Sequence, residues 1–270
     1  MRNAALRFAV VLALVAGGCR RGSDAAKAPK RDLDLERRQQ GVCPDGMVAL
    51  QGGVFRMGTK GPEEPDRTGT PLPADLVQRE AARAERTLML TDETPVHEVT
   101  LSPFCLDRFE AAGADALPLV KVTRDAARGY CEQRGKRLPT EAEWEFAARG
   151  AKGRMFPWGD TEPDCRRANF NACEGKVAAV GTHPAGASPE GVHDLAGNVW
   201  EWVDDCYLRY PDRPAKDPHV DGACDIVVHR GGSWAHPPAF LRGAFRGGGS
   251  PDAAYDVLGF RCAQSLSDKP

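Results

Sequence analysis

The sequence predicts an α+β domain that is irregular, low in regular secondary structure and stapled by disulfide bonds. Three observations support this prediction. Helical patterns are strongest in one stretch, residues 123–149. After Phe156, short β runs lie among loops that are rich in Gly, Pro, Asn and Asp. Eight cysteines follow Cys19, and an even number of cysteines in an exported chain is typical of a disulfide framework.

The N-terminus indicates export. "MRNAALRFAVVLALVAGG", residues 1–18, has an Arg-flanked apolar run that ends in small residues, as secretory signal peptides do. The run is too short for a membrane span. Its end, with Cys19, resembles the bacterial lipoprotein box, in which the cysteine takes lipid and becomes the mature N-terminus. We therefore expect an exported protein of the bacterial cell envelope that is lipid-anchored through Cys19. A plain cleaved signal peptide is the alternative.

Residues 19–41 are charged and nearly free of large apolar side chains, which predicts a disordered tether. Residues 42–265 then supply enough chain for one large domain, and 266–270 form a tail. The formal net charge is −2, and no basic stripe with interleaved aromatic residues is present. These features exclude nucleic acid as an expected partner.

In "CPDGMVALQGGVFRMGT", two short apolar runs flank Gly52 and Gly53, which predicts a β-hairpin. Residues 60–94 are polar and rich in proline and charge, and we interpret them as a surface insertion that contains one helix. "PVHEVTLSPF" alternates between apolar and polar residues, as a strand does.

Two helices are predicted next. Thr123 is a candidate N-cap for "TRDAARGYCEQRG", and Gly135 a candidate stop. In "LPTEAEWEFAARG", Thr140 and Glu143 have the spacing of a capping box. The runs "VVHRGGSW" and "LGFRCA" predict short strands near the end of the chain.

The Gly-rich stretch 229–252 could be taken for a phosphate-binding loop, but no lysine follows its glycines and Pro237-Pro238 would break the required helix. Ser233 and His236 could form a nucleophilic pair. No partner acid is apparent, and we interpret them as a structural serine and a surface histidine. The segment "DLAGNVWEWVDD" contains four side chains with oxygen atoms of the kind that calcium prefers: Asn198, Glu201, Asp204 and Asp205. The alternative is that the acids are simply solvated.

Eight motifs between Met47 and Ala263 carry a family resemblance. In chain order they are "MVALQGGVFRMG", "TPVHEVTL", "GKRLPTEAEWEFAARG", "FPWGD", "RRANF", "GVHDLAGNVWEW", "HRGGSW" and "LGFRCA". Together they resemble the formylglycine-generating enzyme family of sulfatase-modifying factors. The resemblance implies a variant of the C-type lectin fold, with a small twisted sheet, two helices and much irregular coil, which agrees with the α+β prediction.

The family enzyme oxidises a cysteine of an unfolded sulfatase segment to formylglycine, using O2 and copper(I) held by two cysteines. Here the corresponding segment, "WAHPPAFLRGAFR", is shorter and contains no thiol. The first cysteine position falls near His236, and the second falls in the gap or near Pro238. No catalytic residue carries over, and we expect no copper. A family disulfide near the site is also missing, because its two positions are Ala148 and Gly243.

The resemblance also implies calcium. One ion would lie at Asn169 and Phe170, and another at Gly197, Val199 and Glu201. It further implies a Cys131–Cys262 disulfide. Sequence alone cannot choose among the 105 possible pairings of eight cysteines, but proximity and nesting favour three others: Cys43–Cys105, Cys165–Cys173 and Cys206–Cys224.

The sequence therefore predicts a sulfatase-modifying-factor-like protein without the copper cysteines, acting as a non-catalytic binding or scaffold module with a protein or glycan partner at the envelope. The alternative is an active oxidoreductase of the formylglycine-generating or a related metal-dependent type that uses other ligands.

Overall fold

The computed structural model describes residues 42–60, 91–171 and 173–266. The predicted signal peptide, Cys19, the tether and most of the insertion therefore lie outside the described residues. The ends of the insertion meet, because the Thr59 backbone N–H donates to the Glu93 carbonyl at 2.9 Å. In the part of the chain that is described, no helix is long and apolar enough to cross a membrane.

Both predicted helices form, and capping side chains mark where they begin. Helix α1 spans Arg124–Glu132, and the Thr123 side chain accepts a hydrogen bond from the Ala126 N–H. Helix α2 spans Glu141–Arg149 and begins with the complete capping box of Thr140 and Glu143. Helix α1 ends three residues before Gly135, whose φ of +67° belongs to the turn that follows.

Within the three described stretches of the chain, ten short strands form three small sheets. The strands are β1 (Met47–Leu50), β2 (Gly53–Met57), β3 (His97–Leu101), β4 (Phe104–Asp107), β5 (Trp200–Cys206), β6 (Ala215–Lys216), β7 (Val227–Arg230), β8 (Gly247–Gly249), β9 (Leu258–Phe260) and β10 (Ala263–Ser265). Their orders are β1-β4-β10, β2-β3-β6 and β8-β7-β5-β9. Two 3-10 turns of the described residues, Pro184–Gly186 and Pro238–Leu241, lie between strands.

The predicted hairpin between β1 and β2 is wrong. Strand β1 pairs with β4, and β2 pairs with β3, so the chain changes sheet at the two glycines. Gly52 has a φ of +63°, and a Cβ there would lie 2.3 Å from the Leu101 carbonyl oxygen. The glycine pair thus serves a close crossing of two backbone segments, and not a two-residue turn.

Helix α2 runs through the core. Trp144 and Ala147 are fully buried and pack with residues of β2, β3 and β4. A second cluster surrounds Trp200, Trp202 and the Cys131–Cys262 disulfide. Four disulfides form, and they are the four pairs expected above: Cys43–Cys105, Cys131–Cys262, Cys165–Cys173 and Cys206–Cys224.

Candidate functional site

Ala148 and Gly243 face each other across the end of helix α2. A Cβ built on Gly243 would lie 3.2 Å from the Ala148 Cβ. Cβ atoms joined by a disulfide are about 3.5–4.5 Å apart, so the two positions have nearly the separation of a bonded pair. This proximity supports the register in which residues 234–246 correspond to the copper-binding segment of the family.

His236 lies in the turn before the Pro238–Leu241 helix. Its Nδ1 is 2.6 Å from the Ser233 Oγ, and its carbonyl accepts from the Asn171 N–H at 3.1 Å. The structure thus brings together the pair considered in the sequence. Ser233 is fully buried and its hydroxyl also accepts from the Ala235 N–H, so it serves the turn and is closed to a substrate.

Five rings pack where the copper-binding segment would lie. We call Trp200, His229, His236, Phe240 and Phe245 the aromatic cluster. The Trp200 ring centroid lies 4.6 Å from His229, 5.4 Å from His236 and 5.9 Å from Phe245. Burial lowers the pKa of His229 to about 4 and also lowers that of His236. Near neutral pH both imidazoles are uncharged, which suits their aromatic surroundings.

The glycines of strand β8 are required by this packing. A Cβ on Gly247 would lie 2.1 Å from Cε1 of His229, and a Cβ on Gly248 would lie 2.9 Å from Cγ2 of Ile226. His229 of β7 and Ile226, which directly precedes β7, therefore occupy the space beside two successive glycines of β8. The Gly-rich stretch thus provides tight backbone packing over the aromatic cluster.

The described residues contain no free thiol. Each of their eight cysteines is in one of the four disulfides. Two thiolates of the kind that hold copper(I) are therefore missing from this part of the chain.

The two predicted calcium motifs meet. The Asn198 N–H donates to the Asn169 carbonyl at 2.8 Å, and a Cβ on Gly197 would lie 2.3 Å from that same oxygen. The Asn169 side chain is already hydrogen-bonded to the Lys176 carbonyl and the Glu174 N–H. Phe170 packs into the third core cluster.

Glu201 is fully buried, and its carboxylate is engaged on both oxygens. Arg261 donates from Nη2 and Nε at 2.6 Å each, and the Trp144 Nε1 donates at 2.8 Å. The side chain predicted to bind calcium is therefore one half of a buried ion pair.

Two acids beside this ion pair were missed in the sequence, Glu110 and Asp194. Glu110 accepts from the Asn198 Nδ2 at 2.7 Å and from the Val199 N–H at 3.2 Å. Burial, and then the charges of Asp194 and Glu201, raise the pKa of Glu110 well above its usual range. Burial also raises the pKa of Asp194. Asp194 lies within the family motif "GVHDLAGNVWEW", so a signal for it was available in the sequence, whereas Glu110 lies outside the eight motifs.

The charge of this acid set suits a divalent cation. Three carboxyl groups, those of Glu110, Asp194 and Glu201, lie close together, and the strongest positive charge that opposes them is that of Arg261. The positions of these carboxyl groups suit a metal less well, because their oxygens do not converge on one point. Among the described residues, three such ligand atoms lie within 4.8 Å of one another in a different group, which consists of Asp204, His219 and Asp221.

That second group is a possible metal site, but arginines already occupy it. Asp204 Oδ1 accepts from Arg124 and Arg128 at 3.2 and 2.6 Å, and Asp221 Oδ1 accepts from the same two at 3.0 and 2.7 Å. Two guanidinium groups thus balance two carboxylates without an ion. The neighbouring Asp205 accepts from the Glu141 and Val220 N–H groups, and burial raises its pKa to about 6.

Comparison with known proteins agrees with this geometry. The family described as sulfatase-modifying factor enzyme 1-like domain matches residues 33–266. The formylglycine-generating enzyme of Streptomyces coelicolor is 37% identical over 173 residues, 58% of this chain and 55% of that protein. The bovine (Bos taurus) "inactive C-alpha-formylglycine-generating enzyme 2" is 42% identical over 171 residues, 57% of this chain and 52% of that protein. The chain spans about half the length of these two relatives.

Among solved structures, PvdO from Pseudomonas aeruginosa superposes with a TM-score of 0.60 at 26% identity. The match covers 81% of this chain and 94% of PvdO. The irregular α+β architecture with few helices is thus the fold of this family, as the sequence predicted.

Proposed function

Because the chain belongs to the sulfatase-modifying factor family, we propose that it is a non-catalytic member that binds or scaffolds a partner at the bacterial cell envelope. It is exported, anchored by lipid at Cys19, and without formylglycine-generating oxidase activity. Its partner is a protein or a glycan.

The observation that supports the loss of oxidase activity is the state of the cysteines. The family reaction needs two thiolates on copper(I), and the eight cysteines of the described residues are all consumed in disulfides. By the family resemblance, the first cysteine position falls near His236, which packs against Trp200 and Phe240. The aromatic cluster thus includes the residue that stands nearest to the missing copper ligand. The similarity to a relative named inactive supports the same conclusion.

Four disulfides support the proposed location. Disulfides persist in oxidising compartments such as the periplasm and the cell surface, and they are rare in the cytosol. The signal-like residues 1–18 and the lipoprotein-box cysteine agree with this.

An aldehyde assay tests the proposal for catalysis. Purified protein is incubated with a peptide that carries C-x-P-x-R, with and without added copper, and formylglycine is measured by mass spectrometry. We expect no aldehyde above a control without protein, while the Streptomyces coelicolor relative serves as the positive control. Aldehyde formation by this protein would overturn the assignment.

Metal analysis of the purified protein separates the alternatives. Calcium alone supports the binding module, whereas bound copper or iron supports an oxidase that uses other ligands, with His229 and His236 as the first residues to test.

Calcium binding beside Glu110 and Asp194 is part of the proposal. What supports it is the excess of buried carboxyl groups over Arg261: burial, and then repulsion from Asp194 and Glu201, raises the pKa of Glu110, and a divalent ion would offset both. Backbone carbonyls of Gly197 and Val199, and the Asn169 and Phe170 motif, lie in the same region. Calcium prefers oxygen ligands of these kinds.

The test uses the melting temperature as a function of added calcium. A ligand that binds only the folded state stabilises it by about 2.7 kcal/mol at a hundredfold excess over Kd, so the parent's melting temperature should rise. Glu110→Gln should abolish that rise, while Glu98→Gln, at an exposed position, should keep it. Glu201→Ala is a poor test, because it leaves Arg261 buried without its partner and destabilises the fold by about 3–5 kcal/mol with or without calcium. A parent that does not respond to calcium contradicts this site.

A further inference from the structure

The Cys165–Cys173 disulfide is the most exposed of the four. Cys165 is exposed and Cys173 is half-buried. Each of the other disulfides contains at least one buried cysteine: Cys105, Cys131 with Cys262, or Cys206. Because thiol–disulfide exchange requires in-line approach of a thiolate to a sulfur atom, access favours reaction at Cys165.

This disulfide also closes the shortest loop. Its cysteines are 8 positions apart, against 18, 62 and 131 for the other pairs. A short loop constrains the unfolded chain least, so its opening costs the fold less than opening any of the others.

The loop keeps its shape through hydrogen bonds that do not depend on sulfur. The Asp164 carboxylate accepts from the Arg166 and Arg167 N–H groups at 2.9 and 3.2 Å. The Cys173 N–H donates to the Phe170 carbonyl at 2.8 Å. A Cβ on Gly186 would lie 1.7 Å from the Arg167 carbonyl oxygen, so the loop is also pressed tightly against its neighbour. The domain should therefore stay folded when this bond alone is broken.

The charge beside Cys165 favours an attacking thiolate. Arg166 and Arg167 follow it, and the Arg166 side chain is 81% exposed. Asp164 pairs with both arginines at 3.1 and 2.5 Å and offsets one of the two positive charges. The remaining positive charge attracts an anionic nucleophile and stabilises a thiolate at Cys165.

We propose that Cys165–Cys173 is a thiol–disulfide exchange site that a partner dithiol reduces while the other three disulfides stay intact. A thiolate of the partner bonds to the Cys165 Sγ, the Cys165–Cys173 bond breaks, and Cys173 leaves as a thiolate that takes up a proton. The partner's second thiol then displaces Cys165. In total, two electrons and two protons pass to the pair, and the partner becomes a disulfide.

The exchange site adjoins the aromatic cluster. The Asn171 N–H donates to the His236 carbonyl, and Cys173 packs against the core cluster that contains Leu241 of the Pro238–Leu241 helix. Opening the bond removes the covalent restraint between Cys165 and Cys173 and leaves only the hydrogen bonds to hold the loop at the rim of the aromatic cluster. The redox state of this pair therefore sets how tightly the surface beside His236 is held.

Graded reduction under native conditions tests the proposal. The full-length oxidised protein is equilibrated with increasing dithiothreitol, alkylated, and mapped by mass spectrometry. We expect Cys165 and Cys173 to be alkylated at a reductant concentration at least about tenfold lower than any other cysteine. Tryptophan fluorescence should stay native at that concentration. The result that overturns the proposal is reduction of another pair first, or of all four together.

The matched control is the double variant Cys165→Ser/Cys173→Ser. It should fold, and none of its six remaining disulfide cysteines should be alkylated in the low-dithiothreitol range, as in the parent. Early alkylation in this variant would mean that the labelled cysteines of the parent lie elsewhere, which contradicts the site. If the double variant does not fold, the parent's peptide map alone decides, because it identifies the labelled residues directly.

Discussion

His229 shows how burial dominates the protonation of a side chain. It packs edge-to-face against Trp200 and Trp202, and the glycines of β8 close over it. Its folded-state pKa of about 4 is below the ordinary value of 6.5, because the buried site disfavours the charged imidazole. The folded protein thus binds fewer protons than the unfolded chain between these two values.

Stability should therefore fall as pH drops from about 6.5 towards about 4, by up to about 3 kcal/mol from this residue. The variant His229→Phe should lose this contribution, since it removes the titrating group and keeps a ring. Free energies of unfolding from urea titrations across that range provide the measurement, taken as the difference between parent and variant, because the raised pKa values of Asp205, Glu110 and Asp194 act in the opposite direction in both proteins. Phe240→Leu disturbs the same cluster without removing a titrating group and should keep the parent's slope; equal slopes for the parent and His229→Phe would contradict the prediction.

At the scale of elements, the contact between helix α2 and the segment after the Pro238–Leu241 helix marks the position of a lost disulfide. The double variant Ala148→Cys/Gly243→Cys should form a fifth disulfide on oxidative folding, because the two Cβ positions are 3.2 Å apart. The Arg149 side chain must shift to admit it, since its Cγ would lie 2.5 Å from the new Cβ at position 243. Non-reducing peptide mapping checks this. Ala148→Cys alone is the control and should carry one free thiol. Free thiols at both positions of the double variant would undermine the register.

The long and the short disulfide should differ in their contribution to stability. In the chain-entropy model, the Cys131–Cys262 closure contributes about 5 kcal/mol and the Cys165–Cys173 closure about 2.6 kcal/mol. Cys131 and Cys262 are also fully buried. The variant Cys131→Ser/Cys262→Ser should therefore have a melting temperature well below that of Cys165→Ser/Cys173→Ser, as measured by calorimetry. Equal melting temperatures would show that loop length does not govern these contributions.

At the scale of the whole molecule, the proposed lipid anchor and tether determine where the domain acts. Residues 19–41, if they are a flexible chain, give the domain a reach of about 25 Å from the membrane surface. A partner of the aromatic-cluster rim would then have to lie within the envelope close to that membrane.

Membrane partitioning tests the anchor. The mature protein should enter the detergent phase of an envelope extract, because one or more acyl chains dominate the partitioning of a polar domain. Because Cys19 is the residue proposed to carry the lipid, Cys19→Ala should move the protein to the aqueous phase or stall its maturation. A parent found in the soluble fraction would instead favour a plain cleaved signal peptide.

Several local features followed from the sequence by itself. Thr123 and the Thr140–Glu143 box predicted where both helices begin, because a cap is made within three residues of chain. The family motifs predicted the fold and the Cys131–Cys262 bond. The absence of cysteines from residues 234–246 was also visible in the sequence, because the composition of a segment does not depend on the fold.

Other features were decided by the tertiary structure, because they depend on residues far apart in the chain. The pair Gly52-Gly53 resembles a hairpin turn in the sequence, but in the fold the Leu101 carbonyl packs closely against Gly52. Glu201 resembled a calcium ligand, but Arg261, 60 positions away, occupies its carboxylate. The sequence displays the charge of such an acid but not its partner, and in a buried site the partner determines whether that charge is balanced or still needs a cation.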